Sequence, residues 1–265
     1  MAQHLRTIRF EETVMEREEF PFSVPAIRQL TELTFKTPIT LLVGENGTGK
    51  STLIEALAVA CDSVAAAGEP LSKDPSLAAA RLLADQMRLV WNKRTSRGFF
   101  LRAEDFFRYV RRVQREAAEL NDLEKDFDSR FTGYGRMLAT GLAKGQHHAL
   151  TSRYGGDLDA YSHGESFITF FKARLVPRGL YILDEPEAAL SPQRQLTFLA
   201  MVKDMVESEC QFILATHSPV LMALPGATIL SLDELPPRPV EFDELEHVRF
   251  LRDFLASPER FLRHL

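Results

Sequence analysis

Apolar and polar positions along this chain follow two rhythms. Alternation marks "HLRTIRFEETVM", His4 to Met15, as a strand. "LTFKTPITLLVGENG" ends instead in a continuous β-rich run stopped by glycine, and "KSTLIEALAVACDSVAAA" switches to helical spacing built from good helix formers. "GEPLSKDPS" is loop punctuation. "QMRLVWNK" and "GFFLRAEDFF" read as strands on either side of "RTSR", a placement that suggests they pair. From Phe106 to about Leu142 the text is helical and strongly charged, and the Gly-rich stretch that follows reads as loop up to Ser162.

A helix is expected from Glu165 to Leu175, with Ser162 and Glu165 spaced as a capping box. "GLYILDEPE" is a short buried strand meeting two acids. Ser191 as N-cap and Pro192 at the first helical position open the helix "SPQRQLTFLAMVKDMVES". "QFILATHSP" and "ATILSLDE" are further strands, and "DELEHVRFLRDFLASPERFLRHL" is a terminal helix after "LPPRP". Strands alternating with helices predict an α/β fold with a mostly parallel sheet. The chain carries neither an internal repeat nor a long heptad run.

Composition changes this picture little. The 265 residues are 45% hydrophobic and 26% charged, enough for one large α/β domain or two small ones. No apolar run approaches the ~20 residues needed to span a bilayer, and "MAQHLRTIRFEETVMEREEF" is too charged for a signal peptide. Cys61 and Cys210 are the only cysteines, so a disulfide framework and a zinc cluster are both excluded, and a cytoplasmic location is expected. A formal charge of −5 argues against a chain that binds polyanions over its whole surface.

The chemistry lies at the strand ends. "GENGTGKS", Gly44 to Ser51, fits the phosphate-binding pattern G-x-x-x-x-G-K-[ST]. It stands in the right context, after the strand "ITLLV" and before the helix "STLIEALAVA". Gly44, Glu45, Asn46, Gly47, Thr48 and Gly49 can turn backbone N–H groups onto phosphate oxygens, and Thr52 continues that run. Lys50 adds a point charge and Ser51 can ligate Mg²⁺. Asp184 and Glu185 end the strand in "LYILDEPE", at the sheet edge where ligands collect. Asp184 suits Mg²⁺, and Glu185 could orient or deprotonate an attacking water. His217 ends the next strand, where it could reach a γ-phosphate; an ordinary hydrogen-bonding histidine is the alternative.

The order "GENGTGKS", "YSHGES", "LYILDEPE", "AALS", "THSP" resembles the ABC-type ATPases. The likeness is to the SMC and DNA-repair branch and to small stand-alone AAA/ABC ATPases, and its motifs run from about Leu41 to Pro219. It implies a P-loop ATPase head with a mostly parallel sheet and an inserted helical subdomain. In that division residues 1–85 and 176–240 form the nucleotide-binding core, 86–175 the helical and signature subdomain, and 241–265 a C-terminal helix. It also implies ATP and Mg²⁺ as cofactors, hydrolysis to ADP and phosphate, and an ATP-dependent head-to-tail homodimer. "SHGE" stands at the signature, so Ser162, Gly164 and Glu165 would face the opposite subunit's nucleotide, with His163 where the family carries glycine. Ser191 stands where the family's D-loop usually has Asp. The family's Q-loop glutamine has no counterpart in "FFLRAEDFF"; Glu104 is the candidate metal-sensing oxygen there and Gln86 the alternative. Phe20 and Phe22 are of the right type to stack on adenine, with core packing as the ordinary role for each.

Between Arg88 and Arg115 nine cations face only Glu104 and Asp105, with Trp91, Phe99 and Phe100 interleaved. That run suggests either a DNA-contacting surface or a solvated helix face paired with "EAAELNDLEKDFD". About 110 residues separate Ser51 from Ser162, room for a lobe but not for long coiled-coil arms. The output would therefore go to a protein partner, to DNA or to the lobe itself. The subunit of a membrane transporter and a slow ATP-gated binding module are the alternative readings.

Overall fold

The computed structural model describes residues 3–11, 17–66, 70–130, 132, 141, 145 and 163–263. Ser162 and most of the Gly-rich stretch expected to be loop lie outside the described residues.

Three strands are buried along their whole length and apolar except at Thr40, Asp184 and Gln211: β3 (Ile39–Val43), β6 (Leu180–Asp184) and β7 (Gln211–Ala215). Such runs belong to parallel sheets covered on both faces. With β5 (Gly98–Arg102), β8 (Thr228–Ser231) and β9 (Arg238–Val240) they form a six-stranded sheet of order β5-β6-β7-β3-β8-β9. Its pairs are parallel except β8 with β9. Alternate side chains feed two cores. Leu41, Tyr181, Leu183, Phe212 and Leu214 face one, and Leu42, Ile182, Ile213 and Ala215 face the other.

A second sheet, order β2-β1-β4, joins β1 (Leu5–Phe10), β2 (Glu32–Thr34) and β4 (Met87–Trp91) in antiparallel pairs. Here the structure departs from the local reading, because β4 and β5 are both strands yet do not pair. Each goes where its sides can be satisfied. Phe99, Phe100 and Leu101 are apolar on both faces and need a covered sheet, whereas β4 is only partly buried and suits a half-exposed antiparallel one.

The helices follow their sequence signals closely. The short α1 is Pro25–Arg28, α2 is Lys50–Ala60, directly after the phosphate-loop sequence, and α3 is Ala78–Ala84. α4 (Ala103–Arg130) is rooted by buried Phe106 and Val110, with charged residues beyond. α5 (His163–Arg174) buries Phe167, Ile168, Phe170 and Phe171. Ring contacts of 4.6–5.9 Å join Phe106, Phe167, Phe170 and Phe171 to Phe99, so both helices share one aromatic root against the sheet.

α6 (Pro192–Glu207) starts where expected, but the Ser191 side chain makes no capping bond. α7 is Pro219–Met222. The expected terminal helix is two, α8 (Glu246–Ala256) and α9 (Pro258–Leu262). Pro258 causes the break: it lacks an N–H and pushes Ser257 out of the helical region, to φ −152° and ψ 68°. No described helix is long and apolar enough to cross a membrane.

Candidate functional site

The topology gathers the candidate residues at one edge. β6, β7 and β3 are adjacent and parallel, so their C-terminal ends present Asp184, the turn holding His217, and the Gly44–Lys50 loop side by side. The β-ladder fixes the depth, with Asp184 paired to Ala215.

The loop itself depends on its glycines. Gly49 is the N-cap of α2 at φ 100°, a conformation that disfavours any Cβ, and a Cβ there would come 2.5 Å from Val24 Cγ1. Gly44 sits at φ 150° against Thr48 and Asp233. Thr48 Oγ1 donates to Glu45 O at 3.0 Å, and Glu45 N donates to Asp233 Oδ1 at 2.8 Å. Lys50 is buried and its Nζ donates to the carbonyls of Gly44 at 2.9 Å and Glu45 at 2.7 Å. Burial lowers the Lys50 pKa, opposed by Asp233, Glu185, Asp184 and Glu187. Glu45, Asn46, Gly47 and Thr48 open onto a cleft of about 1040 Å³ that Asp233 and His247 also line. Ser51 is exposed and Thr52 half-buried on the first turn of α2.

Asp184 is the most perturbed carboxylate. Burial pushes it up to about 7; the Ser51 hydroxyl opposes this, and Glu185, Glu55 and Glu187 reinforce it. Its Oδ1 is buried and has no hydrogen-bond partner among the described residues. An orphan carboxylate oxygen beside a serine hydroxyl, in a ring of acids, is a donor set that fits a hard divalent cation. No group of three or more His, Cys, Asp or Glu among the described residues forms a metal cage.

Glu185 follows in the left-handed conformation, φ 50° and ψ 49°, with its N–H bonded to Ala215 O at 2.9 Å. Its Oε1 lies 3.6 Å from His217 Nε2, within ion-pair range but beyond a hydrogen bond. Burial and Lys50 lower the His217 pKa against the pull of Glu185 and Asp233, which keeps the imidazole neutral at pH 7.

Other expectations fare differently. Glu165 stands on the first turn of α5 and its carboxylate pairs with Arg194 at 2.9 Å. Gly164 lies on the same turn. Glu104 is exposed on α4, with its Oε1 3.7 Å from Arg102 Nε and 3.8 Å from Arg108 Nη2. Gln86 immediately precedes β4, in the other sheet. Phe22 is fully buried under the Arg17 guanidinium, whereas Phe20 is 59% exposed and does not take the core role. Of the basic run, Arg88 pairs with Glu11, Arg108 with Asp105, and Arg112 with Glu116. Arg102 is buried among Asp74, Glu55 and Asp105. These four cations are spread over three elements and already hold acids, which favours the ordinary paired role. Both cysteines are free and buried, and burial pushes the Cys61 thiol up to about 12.

Residues not singled out from sequence also belong to the site. Asp233 supports the loop, and it carried the same signal as Asp184, an acid after an apolar strand in "ATILSLDE". Glu55 lies one turn after Ser51 on α2, and burial raises its pKa against the opposing Arg102. Arg102 itself is paired in register with Asp184 across β5 and β6.

Two family models match the chain. One, described as "AAA domain", covers residues 22–130 and thus the phosphate loop. The other, "AAA domain, putative AbiEii toxin, Type IV TA system", covers residues 166–223 and thus Asp184, Glu185 and His217. No curated protein matches. Similar solved structures include an "inward-facing conformation of a putative metal-chelate type ABC transporter", 17% identical with a TM-score of 0.47, over 92% of this chain and 84% of that one. An SMC head domain from Thermotoga maritima is 14% identical with a TM-score of 0.44, over 90% and 99% of the two chains. A nucleotide-free ATP-binding cassette from an ABC transporter is 13% identical with a TM-score of 0.42, over 88% and 90%. Two AAA-domain models thus fall on the two parts of the chain that carry the phosphate loop and the Asp184–Glu185 pair, and these meet at one edge of the parallel sheet.

Proposed function

We propose that this chain binds MgATP and hydrolyses its γ-phosphate. The observation that carries the reading is Asp184, buried beside Ser51 with Oδ1 unpartnered among the described residues, at the end of the strand next but one to the phosphate loop. An acid that remains buried at the expense of its own ionisation is a functional-site signature.

In this reading the N–H groups of the Gly44–Thr52 segment receive the phosphates, reinforced by the positive end of α2. Lys50 exchanges the Gly44 and Glu45 carbonyls for phosphate oxygens. Ser51 and Asp184 hold Mg²⁺, which neutralises phosphate charge when bound. Glu185 orients the attacking water and takes its proton, while neutral His217 donates to the γ-phosphate. Glu104 is left out of the metal set because its carboxylate is exposed on α4, beside the cations Arg102 and Arg108.

The order of motifs supports a head-to-tail homodimer in which Ser162, Gly164 and Glu165 of one copy face the nucleotide of the other. The 86–175 lobe then relays the cycle to a protein partner or to DNA.

Phosphate release with Mg²⁺ and ATP, compared between the wild type and Glu185→Gln, tests the hydrolytic reading. Light scattering of Glu185→Gln with ATP tests the dimer, and Ser162→Arg is expected to abolish it while leaving ATP binding intact. An ATP-dependent dimer that survives Ser162→Arg would remove the signature from the interface.

A further inference from the structure

Where a strand leaves its ladder, the next backbone N–H groups lose their partners and normally turn to water. At the end of β7 these groups belong to His217 and Ser218, and both are claimed by one side chain. His217 N donates to Glu187 Oε1 at 2.6 Å and Ser218 N at 3.1 Å, while the Thr216 hydroxyl donates to the same oxygen at 2.7 Å. Glu187 comes from the neighbouring element, the 3₁₀ turn Pro186–Ala189 directly after Glu185.

The contact is braced from behind. Ser218 N also donates to Thr216 Oγ1, and Ser218 Oγ accepts from Val220 N and Leu221 N, capping α7. The same hydroxyl bonds Gln195 Oε1 on α6, whose Nε2 donates to Leu190 O at 3.2 Å. The turn holding His217 is thereby tied to the segment that follows Asp184 and Glu185. Glu185 is fixed from the other side by its N–H bond to Ala215 O. The 3.6 Å separation of Glu185 Oε1 and His217 Nε2 therefore has a mechanical origin in a crossed pair of strand-end bonds.

We propose that Glu187 is a positioning residue for His217: one carboxylate oxygen gathers the Thr216 hydroxyl and the His217 and Ser218 amides, and so sets the imidazole against Glu185. It acts through His217, by way of Oε1; Oε2 is buried with no hydrogen-bond partner among the described residues. This rests on the reading of His217 as the γ-phosphate contact. A glutamine at 187 keeps one acceptor oxygen of the same reach and removes the charge, so it separates positioning from electrostatics. Alanine removes both.

Steady-state hydrolysis and equilibrium binding of a fluorescent ATP analogue are measured for wild type, Glu187→Ala, Glu187→Gln, His217→Ala and the double Glu187→Ala, His217→Ala. Glu187→Ala is expected to lose about 10- to 100-fold in kcat with ATP affinity nearly unchanged, the scale of a small misplacement of a catalytic group. Glu187→Gln should recover most of that loss, and the double variant should be no slower than His217→Ala, because the two residues act as one unit. Additive losses in the double variant, or a Glu187→Gln as slow as Glu187→Ala, would overturn the assignment. Amide hydrogen exchange without ATP supplies a readout independent of turnover: the 217 and 218 amides should be slow in wild type and Glu187→Gln and fast in Glu187→Ala. Slow amides in Glu187→Ala would also overturn it. A wild type that shows the exchange pattern but hydrolyses no ATP would instead refute the hydrolytic reading and leave the Glu187 anchor standing.

Discussion

Glu185 Oε1 stands 3.6 Å from His217 Nε2, and Glu185 reaches that position from a left-handed backbone at φ 50°. An L-residue other than Gly, Asn or Asp held there costs roughly 1–2 kcal/mol. Strain of this kind gathers at functional sites, where geometry takes precedence over stability.

That strain separates two substitutions. Glu185→Gln keeps the side-chain shape and is expected to lower hydrolysis by about 10²- to 10⁴-fold, the usual contribution of a general base. Glu185→Gly is equally inactive but relaxes the backbone and removes a charge beside Asp184, so its melting temperature should rise by about 2–4 °C. Calorimetry alongside phosphate release checks both. A Glu185→Gly protein that melts below the wild type would contradict the strain argument.

Asp184 governs a pH dependence of the metal-free protein. Its carboxyl is pushed from 3.8 up to about 7, chiefly by burial, so the folded state holds a proton that the unfolded state releases. Its contribution to stability is complete below the unfolded value and is lost as pH rises through about 7. His217 and His247 act in the opposite sense, because burial lowers both and stability falls as pH drops through their ordinary range. The difference between wild type and Asp184→Asn isolates the carboxylate. Asp184→Asn should melt higher at pH 8, with the gap closing towards pH 4, while losing Mg²⁺-dependent activity.

Arg102 holds the root of the lobe to the core. Its guanidinium donates to Asp105 on α4, Glu55 on α2, and Asp74 with Ser76 in the intervening turn. Arg102→Met strands these acids and should cost about 3–5 kcal/mol in urea unfolding, as for other broken buried pairs. Arg102→Lys should restore less than half of that, since one ammonium cannot reproduce the fork. A wild-type midpoint for Arg102→Lys would show that charge alone suffices.

Gly49→Ala tests the loop. The added methyl would meet Val24 Cγ1 at 2.5 Å from a backbone at φ 100°. Loss of ATP binding together with a lowered melting temperature is expected, and trimming the obstacle with Val24→Ala should recover only the steric part. Full recovery would mean that the positive φ carries no cost.

How much of this was legible in the chain depends on range. β3, β6 and β7 declare themselves as largely apolar runs; the polar residues at their ends pointed to Asp184, Glu185 and His217, and the phosphate-loop pattern after β3 pointed to Lys50. The support beneath them was not legible, because its contacts span long sequence separations: Glu45 with Asp233 is 188 residues apart, and His217 with Glu187 is 30. β4 and β5 show the same limit. Each was recognisable as a strand, but proximity suggested a hairpin, whereas burial on both faces sends β5 to β6. Pro258 was visible in the sequence, and its effect on the terminal helix follows from the missing N–H alone.

The most direct test is phosphate release by the purified chain with Mg²⁺ and ATP, run beside Glu185→Gln under identical conditions. Turnover by the wild type, lost in Glu185→Gln with ATP still bound, is the expected result. Wild-type and Glu185→Gln rates that coincide, or a wild type that binds ATP without ever cleaving it, would contradict the account.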